Sequence, residues 1–149
     1  MGTRGQRIIL VAVVLVLAGV GTLAIVGNAY SQRTRCRLGL IHPILDIQYA
    51  IDAYRVDNYC FPPDDGGQCR TSRSLYNALM SDPETKAQIE ALPEKMRTGG
   101  CFRDCWGREL GYKRDGKKGE PDLVSAGEDG VFGTGDDFIL SDMRRTGKP

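Results

Sequence analysis

The chain has 149 residues, with 20 Lys or Arg against 19 Asp or Glu and 41% hydrophobic residues, which fits one modest domain plus an appendage. The charges are interspersed and nearly cancel, so no basic stripe can be drawn and no nucleic-acid partner is expected. No nucleophile–base pair or carboxylate dyad can be assembled from the residue pattern, and an enzyme is not expected.

In chain order, Ile8 to Val26 (IILVAVVLVLAGVGTLAIV) carries no formal charge. As a helix it would measure about 29 Å, close to the ~30 Å hydrocarbon core of a bilayer, and it reads as a single transmembrane helix. A secretory signal is the competing reading, because Gly27-Asn28-Ala29 supplies small residues where such signals are cut, but the apolar core of a signal usually runs only about 7–15 residues. Arg4 and Arg7 precede the run while Arg33, Arg35 and Arg37 follow it, so charge bias leaves the orientation open. Cys36, Cys60, Cys69, Cys101 and Cys105 all follow it. That usage suits an oxidising compartment and places the C-terminal part outside the cytoplasm.

Residues 31–59 read as helix. Leu40, Ile41, Ile44, Ile47, Ile51 and Tyr54 recur at three- and four-residue steps and draw one apolar stripe. Pro43 interrupts the stripe, and a bend or local irregularity is expected there. His42, the only histidine, has no partner pattern that would make it a ligand or base. The Cys60-Phe61-Pro62-Pro63 run ends the helix. Residues 60–98 then hold turns and two short helices: Leu75 to Met80, and one opened by Asp82-Pro83-Glu84 that stops before Pro93. From 99 to 142 the pattern changes. Leu110 to Arg114 and Asp122 to Ala126 read as strands joined by a Gly116 to Gly119 turn, and Phe138 to Leu140 as a third. Trp106 reads as a core or sheet-packing aromatic, and 143–149 as a flexible tail. Helices first and short antiparallel strands afterwards predict an α+β domain, with a small antiparallel sheet packed on the C-terminal half of the long helix.

The run Asp122 to Phe138 (DLVSAGEDGVFGTGDDF) holds Asp129, Asp136 and Asp137 on a loop punctuated by Gly127, Gly130, Gly133 and Gly135. Glycines let main-chain carbonyls turn inward beside carboxylates, and six to eight oxygens on a flexible loop suit calcium. No His or Cys lies in the run, which disfavours zinc. The sequence lacks the EF-hand pattern. A plain Asp-Gly turn between strands is the alternative. Among the cysteines, pairing within each loop is the simplest arrangement, Cys60 with Cys69 and Cys101 with Cys105, leaving Cys36 over.

Three segments together resemble the major pseudopilin of the type II secretion system. Ala50 to Pro62 (AIDAYRVDNYCFP) is similar to a helix end of the form A-x-x-x-Y-x-x-D-N-x-x-Y-P. Asp104-Cys-Trp-Gly107, followed by Tyr112, is similar to D-P-W-G-x-x-Y, and Asp122 to Phe138 is similar to a D-x-x-S-x-G-A-D-G loop with a later acidic pair. The resemblance implies a pilin-like fold, with a transmembrane and amphipathic N-terminal helix on a small sheet. It implies calcium bound by Asp129, Asp136 and Asp137, with main-chain oxygens of Ala126 and Thr134 and, as a further candidate, Val131. It also implies a structural filament subunit in protein secretion that assembles with itself and other pseudopilins. Such a subunit would meet a secretion platform and lipid at the inner membrane, crossing it once with residues 1–30 and folding residues 31–142 in the periplasm. The chain departs from the pattern in two places. Leu10 stands where the family has a Glu, with no aromatic after Gly5, and Cys105 replaces the proline of D-P-W-G. These departures keep open a second reading, a stand-alone membrane-anchored periplasmic module that binds a partner through calcium.

Overall fold

The computed structural model describes residues 3–66, 71–114 and 120–142, with side chains from Thr22 onward other than those of 23–26 and 29. Two compact units divide the chain, Met1–Arg35 and Cys36–Pro149. Helix α1 spans Thr3–Asn58. Among the described residues no helix is long and apolar enough to cross a membrane. The predicted span Ile8–Val26 has helical backbone, but apart from Thr22 its side chains lie outside those described. α1 continues through Pro43 as helix. Proline has no N–H to give the Gly39 carbonyl, and Gly39 is exposed, where water can take that carbonyl.

In the second unit the predicted stripe is the core face. Leu40, Ile44, Ile47 and Ile51 are fully buried, and Ile41 and Tyr54 pack at its margin. Four fully buried aliphatic side chains contribute on the order of 6–12 kcal/mol of burial free energy, before conformational entropy is subtracted. Helices α2 (Arg73–Ser81) and α3 (Pro83–Ala91) bring Leu75, Leu79 and Ile89 to the same cluster. Asp82 separates the two helices. Its Oδ1 accepts from the backbone N–H groups of Glu84 (3.0 Å) and Thr85 (3.2 Å), with Pro83 in the first turn of α3. Its Oδ2 accepts from the side-chain amide of Asn58 (3.0 Å), joining the end of α1 to the start of α3. Burial raises the Asp82 pKa, but the Asn58 amide and the two backbone donors outweigh it and hold the carboxyl below its ordinary value.

Among the described residues the sheet has three antiparallel strands in sequence order: β1 (Gly111–Arg114), β2 (Pro121–Ser125) and β3 (Phe138–Ile139). Gly111 pairs with Val124 and Arg114 with Pro121, while Val124 and Ser125 pair with Ile139 and Phe138. Phe102, Leu110, Tyr112, Leu123, Phe138 and Leu140 join the helical residues in one cluster, so the α+β architecture expected from the sequence is present. Tyr112 is 2% exposed and donates its hydroxyl to the Pro62 carbonyl (3.0 Å), fixing the chain that leaves α1. Trp106 is half-buried against the cluster. The predicted Gly116–Gly119 turn and the 143–149 tail lie outside the described residues.

The cysteines pair differently from expectation. Cys36 of α1 is bonded to Cys105, with Cα atoms 5.5 Å apart, an ordinary disulfide separation. Cys101 is unpaired among the described residues and buried in the core, where its thiol donates to the Thr98 carbonyl (3.5 Å). Burial first, then the charge of Glu109, pushes its pKa up, which keeps it protonated and unreactive. Sequence proximity favoured Cys101–Cys105, but the core takes the Cys101 side chain and the helix supplies the partner for Cys105. Cys60 is exposed and unpaired among the described residues, and Cys69 lies outside them.

Replacing Asp82 with Ala should cost about 1 kcal/mol of unfolding free energy through the lost N-cap. Urea denaturation followed by Trp106 fluorescence measures it, and an unchanged midpoint would show that the cap does not stabilise α3.

Candidate functional site

The acidic loop between β2 and β3 grows from a buried carboxylate in the preceding turn. Asp104 is 2% exposed. Its Oδ1 accepts from the backbone N–H of Trp106 (2.9 Å) and of Arg108 (2.8 Å), and its Oδ2 accepts from the Ser125 hydroxyl (2.7 Å). Three donors offset the cost of burying the charge. Ser125 Oγ in turn accepts from Gly127 N (3.3 Å). The Asp-x-Trp-Gly block therefore sets the exit of β2, where the loop begins.

The loop folds largely on itself. Gly130 N donates to the Ala126 carbonyl (3.1 Å), and Asp137 N to the Thr134 carbonyl (3.4 Å). Asp136 Oδ2 accepts from Glu128 N (2.7 Å) and Asp129 N (3.1 Å), and its Oδ1 accepts from the Thr134 hydroxyl (2.6 Å). Asp129 Oδ1 accepts from Val131 N (2.7 Å), and Asp137 Oδ2 from Gly133 N (2.7 Å). The Thr134 hydroxyl also reaches the Val131 carbonyl (3.1 Å). The Thr134 hydroxyl, then the Asp129 amide, holds the Asp136 carboxyl far below its usual 3.8. A depressed carboxyl stabilises the fold above its unfolded value and loses that effect as pH falls toward the folded one. The loop contribution of Asp136 is therefore complete at neutral pH and fades only on strong acidification.

Two glycines make this packing possible. Gly127 has φ +62°, and a Cβ there would lie 2.5 Å from both the main-chain oxygen and Oδ2 of Asp136. Gly130 has φ +75°, and its Cβ would lie 2.8 Å from Arg108 Nε. Both positions have a left-handed backbone, and at Gly127 the main chain of Asp136 leaves no room for a Cβ, whereas at Gly130 the Arg108 side chain would have to move.

Ala126, Asp129, Val131, Thr134, Asp136 and Asp137 thus share one short loop. Among the described residues, however, no three acidic, His or Cys side chains come together as a metal cage. The carboxylates are instead occupied by neighbouring N–H groups, because a glycine-rich loop has few other acceptors for its amides. The donor chemistry matches a hard cation, all oxygen with no sulfur or imidazole. Asp137 Oδ1 is buried and accepts no hydrogen bond from any described residue.

Sequence reasoning missed the two arginines that hold the loop from outside. Arg37, on α1, donates from Nη2 to the Asp136 carbonyl (3.2 Å). Arg108 donates from Nη1 to the Gly127 carbonyl. Nothing in the spacing of Arg37 marks it, since it lies 99 residues from its acceptor. The role of Asp104 was open to inference, because an Asp side chain commonly accepts from the backbone N–H two residues on, here that of Trp106.

Known proteins resemble this chain over most of its length. The family model described as type II secretion system (T2SS), protein G, matches residues 40–141. The type II secretion system core protein G of Klebsiella michiganensis is 27% identical over 136 residues, covering 91% of this chain and 90% of that one. Its counterpart in Escherichia coli K12 is 27% identical over 137 residues, covering 91% and 88%. That of Pseudomonas aeruginosa is 28% identical over 137 residues, covering 89% and 88%. The crystal structure of the major pseudopilin from enterohaemorrhagic Escherichia coli aligns at a TM-score of 0.44 and 24% identity, covering 76% of this chain and 90% of that one.

Gly127→Ala should destabilise the fold by about 1–3 kcal/mol, the usual cost of a strained backbone position; an unaltered thermal unfolding curve would contradict the close approach to Asp136. Carboxyl-detected NMR titration should find Asp136 ionising well below 3.8, and a midpoint at or above that value would contradict the hydrogen bonds assigned to it.

Proposed function

Because the chain belongs to the protein G family of the type II secretion system, we propose that it is a filament subunit which crosses the inner membrane once and carries a calcium-ordered loop on a periplasmic domain. The family is one of structural pseudopilins and not of enzymes, and it works by assembly with other pseudopilins in protein secretion. The match over residues 40–141 is the observation that carries this reading.

Membrane insertion rests on the uncharged run Ile8–Val26, whose length suits a bilayer. The Cys36–Cys105 disulfide supports a periplasmic C-terminal domain, since such bonds persist in oxidising compartments. Self-assembly has a surface to use. On α1 the exposed Leu38, Tyr49 and Val56 fall on one helix face, at eleven- and seven-residue steps, away from the core stripe of Leu40, Ile44, Ile47 and Ile51. Apolar side chains in a line along one helix face suit helix-to-helix packing between subunits. The remaining partners in this reading are the inner-membrane secretion platform and lipid.

Calcium is the ion of this proposal. Its ligands would be Asp129, Asp136 and Asp137 with main-chain oxygens of Ala126, Thr134 and Val131. The all-oxygen donor set and the buried, unpartnered Asp137 Oδ1 support the assignment. Bound there, the ion would neutralise two adjacent carboxylates and stiffen a loop with little apolar mass of its own.

Two measurements test the reading. Chelation should lower the melting temperature of the full chain in detergent, and calcium should restore it better than magnesium, by mass action on the folded state; a curve indifferent to chelator removes the ion. A photo-crosslinking residue at Tyr49 should yield chain-to-chain adducts in membranes of an expressing cell, and their absence with intact expression would reject this helix face as a subunit contact.

A further inference from the structure

We propose that the Cys36–Cys105 disulfide and two neighbouring arginines, Arg37 and Arg108, form a redox-sensitive clasp that steadies the base of the acidic loop. The clasp goes beyond the calcium reading and does not depend on it.

The bridge joins two segments 69 residues apart, α1 at Cys36 and the Asp104–Arg108 turn at Cys105. Each segment carries one arginine that reaches the loop. Arg37, adjacent to Cys36, donates to the Asp136 carbonyl (3.2 Å), and Arg108, at the end of the turn, donates to the Gly127 carbonyl. Those two acceptors flank the point where the loop closes on itself, because the Cα of Gly127 faces the main chain and carboxylate of Asp136 too closely for a Cβ. The stem of Arg108 also lies against Gly130. Two guanidinium groups therefore hold the base of the loop, one from α1 and one from the Asp104–Arg108 turn, and both address main-chain oxygens.

Arg37 has reason to leave if released. Its Nε is buried and makes no hydrogen bond to any described residue. A buried, unsatisfied donor on a charged group is unfavourable, and water would satisfy it. What keeps Arg37 over the loop is its place on α1 beside a covalent tie to the turn. Opening the tie frees the turn and lets both arginines hydrate. The core stripe of α1 from Leu40 to Ile51 stays packed, so the change should be confined to the loop and turn.

The opening step needs a dithiol reductant. Its thiolate attacks one sulfur of the bridge, the Cys36–Cys105 S–S bond breaks, and the second thiol of the reductant closes to a cyclic disulfide. Cys36 and Cys105 together gain two electrons and two protons and end as thiols. Cys101 does not compete, being buried and held protonated.

Amide hydrogen exchange by mass spectrometry tests this on the full chain in detergent with chelator present throughout. Treatment with dithiothreitol, or the Cys36→Ser/Cys105→Ser double variant, should speed exchange in peptides covering 126–138 by about tenfold or more while those covering 40–51 change little. Arg37→Gln in the oxidised protein should speed the same loop peptides. Equal loop exchange in oxidised and reduced protein overturns the proposal, and so does a loop indifferent to Arg37→Gln. Should reduction unfold the whole domain, Arg37→Gln and Arg108→Gln in oxidised protein decide it, and slow loop exchange in both overturns the clasp. Repeating the series with calcium separates the two readings: an ion-insensitive but redox-sensitive loop ends the calcium assignment and leaves the clasp, and the opposite pattern ends the clasp alone.

Discussion

The burial of one face of α1 is the constraint on which the rest of this structure depends. Leu40, Ile44, Ile47 and Ile51 have no solvent contact, and the three-stranded sheet, α2 and α3 are arranged around them. The sheet alone is too small to exclude water from both its faces. Its strands have four, five and two residues, and Tyr112, Leu123 and Phe138 are buried in one cluster with the α1 stripe and residues of α2 and α3. The acidic loop is therefore a dependent feature. It hangs from β2 and β3, which stand on α1, and it is also steadied directly from α1 through Arg37.

The architecture could be read from the sequence because it rests on short-range rules. Three- and four-residue recurrence announced the core face of α1. Asp82-Pro83-Glu84 announced the start of α3, and each predicted strand falls within a residue of its observed place. The loop residues were legible as a group for the same reason, since Gly and Asp in that density specify a turn-rich segment. Their arrangement within the loop was not legible. Whether an aspartate faces a cation or the nearest amide depends on distances of a few ångströms, which composition does not encode. Asp129, Asp136 and Asp137 each bind the backbone of their own loop here. The contacts of Arg37 and Arg108 were invisible because they join positions far apart in sequence, where no local rule applies.

Asp104 and Cys105 show how one short turn can serve two purposes. The carboxylate of Asp104 organises the turn and holds the end of β2 through Ser125. Its neighbour Cys105, which replaces the proline of the pattern this chain resembles, ties the turn to the helix. Membership of the protein G family follows from the match of its model to residues 40–141. The bond to Cys36 adds a covalent brace beside the loop that the helical and sheet framework alone does not provide.

The long reach of that brace bears on how the chain acquires its shape. Closing a large loop is entropically costlier than closing a small one, so an unfolded chain brings Cys101 and Cys105 together far more often than Cys36 and Cys105. The pair that early oxidation would trap is thus the wrong one, and it would drag Cys101 out of the core position it occupies in the finished domain. Correct maturation requires the helix to dock before the thiols react, or else a reshuffling step, which runs over seconds to hours depending on oxidant and isomerase. Biogenesis of this subunit is in that sense a race between collapse onto α1 and local oxidation, and a cell short of isomerase should accumulate the misbridged form.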